Sequence, residues 1–181
     1  MEVISILLLV EPSVEYKDSF IKFLHEDEDV GEISSNKVEQ IINNFNKYVD
    51  NLLKRKEDDG KQMLQTVYWL VEDKEFVGQI AIKHGSLNEE VKKYIGHFSY
   101  VVRPSKRCQE YGKIMLKKGL EKAKQMGYKK VMIACNIDNI SSKKIIEYNG
   151  GELNDIVNWE KKSKPIARYW IDLINKKREK D

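Results

Sequence analysis

The chain has 181 residues, 41% apolar and 34% charged, with a formal net charge of +3. That supplies one domain with a real core, and it matches neither a disordered nor a membrane-embedded composition. So small a net charge does not by itself argue for nucleic acid, and two cysteines make neither a disulfide framework nor a zinc cluster. The charge is unevenly placed: residues 103–130 carry ten Lys/Arg against two Glu, while residues 1–60 carry seven Lys/Arg against fourteen Asp/Glu. A basic middle beside an acidic start suggests an anionic ligand held locally, although Lys-rich helices can also be no more than well solvated.

Ile4–Val10 reads as a buried strand stopped by Glu11-Pro12-Ser13. It lacks the basic start and small-residue cleavage site of a signal peptide and is too short to span a membrane, so the expected compartment is the cytoplasm. Ser13 can cap a helix through about Leu24. The acidic stretch Glu26–Glu32 reads as a solvated loop rather than a metal site. Val38, Ile41, Ile42, Phe45, Tyr48, Val49 and Leu52 recur at helical spacing, predicting one amphipathic helix over Ser35–Leu53 and then a charged turn, Lys54–Lys61. Gln65–Val71 and Phe76–His84 form a hairpin pattern, His84–Lys93 is a polar excursion, and Tyr94–Arg103 is a strand ended by Pro104. A helix over Tyr111–Met126, a strand over Lys130–Cys135, a helix capped at Asp138 or Asn139 and closed by Gly150-Gly151, and a last strand over Ala167–Leu173 complete the order, with a frayed tail at Lys176–Asp181. The expectation is one α/β domain over residues 1–181, a mixed, mostly antiparallel twisted sheet flanked by helices.

The informative unit is the strand–loop–helix passage Ile95–Gly127. A helix N-terminus offers unpaired amides and a partial positive charge. Here the opening at Tyr111-Gly112-Lys113 is surrounded by Arg103, Lys106, Arg107 and Lys113, so it suits a phosphate or pyrophosphate. Other features read blandly. His25 and His84 lack ligand-spaced partners, no metal site is expected, and Trp69, Trp159 and Trp170 suit a core or a pocket wall, Trp170 also an acceptor site.

At these residues the sequence resembles the GNAT acyltransferases. Arg107-Cys108-Gln109-Glu110-Tyr111-Gly112 is similar to that family's Gln/Arg-x-x-Gly-x-Gly/Ala loop, Val101-Val102-Arg103-Pro104-Ser105 to its strand ending, and Asn139-Ile140-Ser141-Ser142 to its Asn-x-x-Ser/Ala segment. Lys83-His84-Gly85-Ser86-Leu87-Asn88, Ile145–Gly151 and Arg168-Tyr169-Trp170-Ile171 resemble a bacterial branch of predicted acetyltransferases. The resemblance covers residues 65–174, more weakly the N-terminus.

The resemblance implies acetyl-CoA as cosubstrate. The strand ending at Arg103 and the strand Lys130–Cys135 would splay apart around the pantetheine arm. Backbone groups of Val101 and Val102 would hold the arm, one of their amides would stabilise the oxyanion, and the Cys108, Gln109, Glu110, Tyr111, Gly112 and Lys113 amides would hold the pyrophosphate with Arg103 and Arg107 nearby. Asn139 and Ser142 would touch the cofactor from the other side. Glu110 departs from the family pattern by standing where a glycine is usual. His97 falls where many relatives carry a Glu base, and an imidazole suits that role, although a strand His satisfied by its neighbours is the plainer reading. The usual Tyr acid is Ile146 here, which leaves Tyr148, two residues on, as the candidate acid or as a packing or surface residue. Cys108, near the helix N-terminus, has no covalent role because the family transfers the acyl group directly.

The expected function is acetyl transfer to a primary amine on a small-molecule or peptide acceptor, with no nucleic-acid or membrane partner. A homodimer is plausible on the resemblance alone. The alternative is an acyl-CoA-binding module without turnover, and a nucleic-acid-binding domain using residues 103–130 is a more distant rival.

Overall fold

The computed structural model describes residues 6–29, 31, 33–57 and 63–174. The start of the first predicted strand, the end of the turn after residue 57 and the Lys176–Asp181 tail lie outside the described residues. Strand β1 (Leu7–Val10) pairs antiparallel with β2 (Leu64–Glu72), which pairs with β3 (Glu75–His84), which pairs with β4 (Phe98–Val102). The β2–β3 connection is a two-residue turn in which Asp73 and Lys74 take φ of 45° and 71°. Positive φ at both central residues is what a tight hairpin matched to strand twist requires. A second antiparallel sheet contains β5 (Lys130–Asn136), β7 (Ile166–Asp172) and β6 (Glu152–Val157), with β7 in the middle.

Among the described residues five α-helices cover the sheets: α1 (Lys17–Asp29), α2 (Ser35–Asn43), α3 (Phe45–Lys54), α4 (Tyr111–Gln125) and α5 (Ile140–Tyr148). Helices α1–α3 bury an aromatic cluster on one face of β2 and β3, where Phe20 stacks on Trp69 with centroids 4.7 Å apart and Phe76 meets Trp69 edge-on at 5.4 Å. Helices α4 and α5 bury an aliphatic cluster on the other side, built on Ile80, Ile82, Met115, Leu116, Ile133, Ile146 and Tyr169. Both clusters are buried, and each large side chain in them contributes about 1.5–3 kcal/mol.

Four local expectations change. The acidic stretch is no loop: α1 continues to Asp29, where Glu26 meets Arg103 and Asp27 lies 3.6 Å from Arg107, both from the β4–α4 connection. The predicted Ser35–Leu53 helix breaks at Asn44, whose backbone leaves the helical region (φ −128°, ψ 37°) while its Nδ2 donates to the Gln40 carbonyl at 3.2 Å. The strand predicted from Tyr94 starts only at Phe98, after a π-turn over Val91–Ile95 and Gly96 at φ 76°. Strand β6 was not expected at all: Leu153 and Ile156 lie half-exposed on a sheet edge, so no buried apolar stripe marks it.

Candidate active site

The two sheets meet between β4 and β5 and part almost at once. Among the described residues they touch at the Gly96–Ile133 bridge, through the His97 N–H, which donates to the Met132 carbonyl at 2.7 Å, and through the Met132 N–H, which donates to His97 Nδ1 at 2.9 Å. Gly96 is required there, since a Cβ would lie 2.6 Å from the Met132 oxygen and the residue sits at φ 76°. Beyond this closed end the strands belong to separate sheets.

Hydrogen-bond alternation tells which groups face the opening. The Lys83 N–H donates to the His97 carbonyl at 2.7 Å and the Arg103 N–H to the Val77 carbonyl at 2.9 Å, in one register along β3 and β4. Antiparallel pairs alternate, so Ser99 and Val101 direct their N–H and C=O at β3. The backbone groups of Phe98, Tyr100 and Val102 face the gap. This corrects the expectation for Val101, whose amide belongs to the ladder; Tyr100 and Val102 carry the available groups. The Val102 carbonyl is taken by the Arg107 guanidinium, its Nε donating at 3.1 Å.

At the open end stands the N-terminus of α4. Cys108 and Glu110 both adopt left-handed backbone, with φ of 60° and 64°. That turns the loop so that the amides of Cys108, Gln109, Glu110, Tyr111 and Gly112 have no hydrogen-bond partner among the described residues. The Lys113 amide differs, donating to the Glu110 carbonyl at 3.0 Å inside the first helical turn. Gly112 lets α4 and α5 pack closely: a Cβ there would stand 2.5 Å from Ile145 Cδ1 of α5, and that side-chain end would have to shift. Across the gap Asn139 caps α5, its Oδ1 accepting from the Ser142 N–H at 2.9 Å, and the Ser142 hydroxyl meets Tyr100 Oη at 2.7 Å. Burial pushes the Tyr100 phenol up to about 12, so it stays protonated.

All four cations expected around the cradle have acidic partners. Arg103 is 6% exposed and is held by Glu26 (Nε–Oε1 2.7 Å) and Glu75 (Nη1–Oε1 2.9 Å), so its side chain braces the loop instead of reaching a phosphate. Lys106 pairs with Glu75 at 2.7 Å, Arg107 lies 3.6 Å from Asp27, and Lys113 pairs with Glu110 at 2.6 Å. Burial acts to raise the Glu26 pKa, but hydrogen bonds from Arg103 and from Ser105, together with the arginine charge, hold it at about 2.

The two catalytic candidates do not come together. His97 Nδ1 lies 2.9 Å from the Met132 nitrogen, which can only donate, and 3.3 Å from the Met132 carbonyl; the shorter contact assigns Nδ1 as acceptor and the ring proton to Nε2. Burial and the Lys83 charge push its pKa down, against the Met132 contact, but the neutral ring has no free lone pair with which to take a proton. Tyr148 is 65% exposed, and the Lys113 ammonium lies 4.5 Å from its ring centroid, beside the α4 opening. About 20 Å of extended chain separates His97 from Arg103 at that end of β4.

A profile of the GNAT acetyltransferase domain matches residues 7–152. The chain belongs to the GNAT acetyltransferase family. Solved structures share the GNAT fold at low identity. Mycobacterium smegmatis RimJ, in complex with CoA-disulfide, superposes with a TM-score of 0.68 at 13% identity over 92% of this chain and 81% of its own. A Salmonella typhimurium acetyltransferase that modifies the N-terminal serine of a ribosomal subunit protein gives 0.65 at 13%, covering 92% and 94%. The microcin self-immunity acetyltransferase MccE, in complex with acetyl-CoA and AMP, gives 0.65 at 11%, covering 92% of each chain. No curated protein matches the sequence significantly.

As a GNAT protein the chain is an acetyl-CoA-dependent N-acetyltransferase. Its own residues fit the cosubstrate, offering a row of free amides for a pyrophosphate and an open strand rim for an amide-bearing arm. Among the described residues no group of three or more His, Cys, Asp or Glu is placed to hold a metal ion, and no helix is long and apolar enough to cross a membrane. Sequence reasoning missed Tyr100 and Lys83. The first lies inside the expected strand without a motif to mark it. The second, 5% exposed on β3 with Nζ 3.3 Å from Ser99 Oγ, lay in a quoted segment, but only its burial singles it out.

Proposed function

We propose that this GNAT enzyme transfers the acetyl group of acetyl-CoA directly to a primary amine of a small-molecule or peptide acceptor, with both substrates held at once. The observation that carries the reading is the continuous path from the gap-facing backbone of Tyr100 and Val102 to the five free amides at 108–112. Pantetheine would exchange places with the Arg107 guanidinium on the Val102 carbonyl, and the Tyr100 N–H would face the developing oxyanion. Arg107, 40% exposed, would swing to the pyrophosphate. The Tyr100 phenol, protonated and inside the gap, is a better placed proton donor than Tyr148. Direct attack accords with the cysteines. Cys108 lies in the cradle loop, away from the gap, and burial pushes the Cys135 thiol up.

The acceptor would approach the face of β4 that carries the exposed Ser99, bounded by the N-terminal helices and by the segment after β3. That segment is fastened to the β6–β7 loop and to β7 itself: Tyr94 stacks on Trp159 at 5.1 Å, and the Arg168 Nη1 of β7 donates to the Lys93 carbonyl at 2.9 Å. Glu110 keeps alive a second reading, an acyl-CoA-binding module without turnover.

Calorimetric titration with acetyl-CoA, paired with a thiol-release assay across peptide amino termini and polyamines, tests both. Expected are micromolar binding, about tenfold weaker binding in Arg107→Ala, and tighter binding in Glu110→Gly, which removes a carboxylate and relieves about 1–2 kcal/mol of left-handed strain. Binding with no release for any amine favours the non-catalytic module. No binding in any form removes the cosubstrate site.

A further inference from the structure

Transfer to an amine needs somewhere for the amine's proton to go, and the imidazole of His97 is committed to Met132. On the same face of the sheet, one step along β3 and β4, lies a group that the fold itself does not use. Lys83 is 5% exposed, and its ammonium has one hydrogen-bond partner, Ser99 Oγ at 3.3 Å. No carboxylate lies within ion-pair distance of it among the described residues, and no further interaction of it is left out. A buried ammonium without a counter-ion costs stability, and an apolar side chain of the same length would hold the site better. Ser99, by contrast, is exposed. Its hydroxyl therefore stands between solvent and the amine behind it, next along the strand to Tyr100, whose N–H faces the gap.

We infer that Lys83 and Ser99 form the proton relay of the acetyl transfer, Ser99 Oγ passing the acceptor amine's proton inward to Lys83 Nζ. The inference rests on the acetyltransferase reading above. In the step, the amine lone pair forms the new N–C bond to the acetyl carbonyl carbon, and the C–S pair leaves on the CoA sulfur. The nitrogen gives its proton to Ser99 Oγ as the hydroxyl proton passes to neutral Lys83. The resulting ammonium returns its proton to water before the next turnover. Neutral Lys83 is within reach because burial lowers its pKa to about 8. The groups around it do not oppose this. Before β4, burial and the Lys83 charge push the His97 pKa down, against the Met132 contact, and so favour the uncharged ring. After α4, the Tyr128 hydroxyl donates to the Lys83 carbonyl at 3.3 Å, and across β2 the opposite residue is the uncharged Gln65.

The test uses the full chain as Lys83→Met, Lys83→Arg and Ser99→Ala, with three readouts. The first is acetyl-CoA affinity by calorimetry. The second is kcat against pH for thiol release with the best amine of the panel, or with water as the slow acceptor if no amine is turned over. The third is direct titration of the Lys83 side chain by NMR. The wild type should gain rate as pH rises through about 8 and level off above it, because the neutral amine is the active form. Lys83→Met and Ser99→Ala should bind acetyl-CoA as the wild type does, lose about 100-fold in kcat and lose that limb. Lys83→Arg should move the limb out of range, and Lys83→Met should melt no lower than the wild type. In Ser99→Ala the NMR midpoint of Lys83 should persist near 8 while the rate is lost. A Lys83→Met protein that binds acetyl-CoA and keeps the wild-type rate or limb overturns the relay. A wild type that does not bind acetyl-CoA overturns the acetyltransferase reading instead.

Discussion

The two ends of the gap between β4 and β5 are built on opposite principles. The closed end is made of backbone: one glycine bridge, one N–H to Met132, and an imidazole that fills the next hydrogen-bond position. The open end is made of charge: Arg103, Lys106 and Arg107 held by Glu26, Glu75 and Asp27. Backbone contact at a strand crossing tolerates no extra atom, whereas ion pairs can be exchanged for those of a ligand. On the proposed function, a cleft that stays shut at one end and admits an anion at the other would be served by that division.

The largest effect should come from the open end. Arg103→Ala removes the cation that Glu26 and Glu75 share, leaving Glu75 only Lys106, and should cost about 3–5 kcal/mol in urea unfolding. A loss under 1 kcal/mol would mean that the brace is superficial. At the closed end Gly96→Ala combines about 1–2 kcal/mol of left-handed strain with a backbone clash worth about 1–3 kcal/mol. Its unfolding midpoint should drop accordingly, and amide exchange at Met132 should rise if the bridge is what holds the strands. The smallest effect is pH dependence. Glu26 has its pKa lowered from 4.5 to about 2 in the folded chain, so its contribution is fully present above pH 4.5 and is lost as pH falls from there to about 2. That amounts to about 2–3 kcal/mol. Glu26→Gln should flatten this acid limb in denaturant midpoints measured at pH 5 and pH 2.5.

The helices and strands of the core were legible because each carries a buried stripe with a clear period, as in α4 and β3. The acidic run at 26–29 was not, since its partners stand on a loop far along the sequence, and periodicity carries no information about such pairing. Edge strand β6 escaped because it buries almost nothing. At the site, the loop Arg107–Gly112 was found from its resemblance and its basic neighbours. The sequence could not tell that Arg103 turns inward while Arg107 lies on a carbonyl, as both are arginines beside the same helix. The parity of β4 was also hidden. Whether Val101 or Tyr100 faces the gap follows from the β3 register, and a shift of one residue would exchange them.

The Arg107 guanidinium on the Val102 carbonyl has a consequence for the protein when it is empty. The rim of β4 is a strand edge with unmet donors and acceptors, which invites a strand from another chain. A charged, half-exposed side chain at its mouth disfavours that approach for a strand that brings no counter-charge to the displaced arginine. A pyrophosphate-bearing molecule does bring one. On the proposed function, the same residue would disfavour strand pairing at the empty groove and yield it to the cosubstrate.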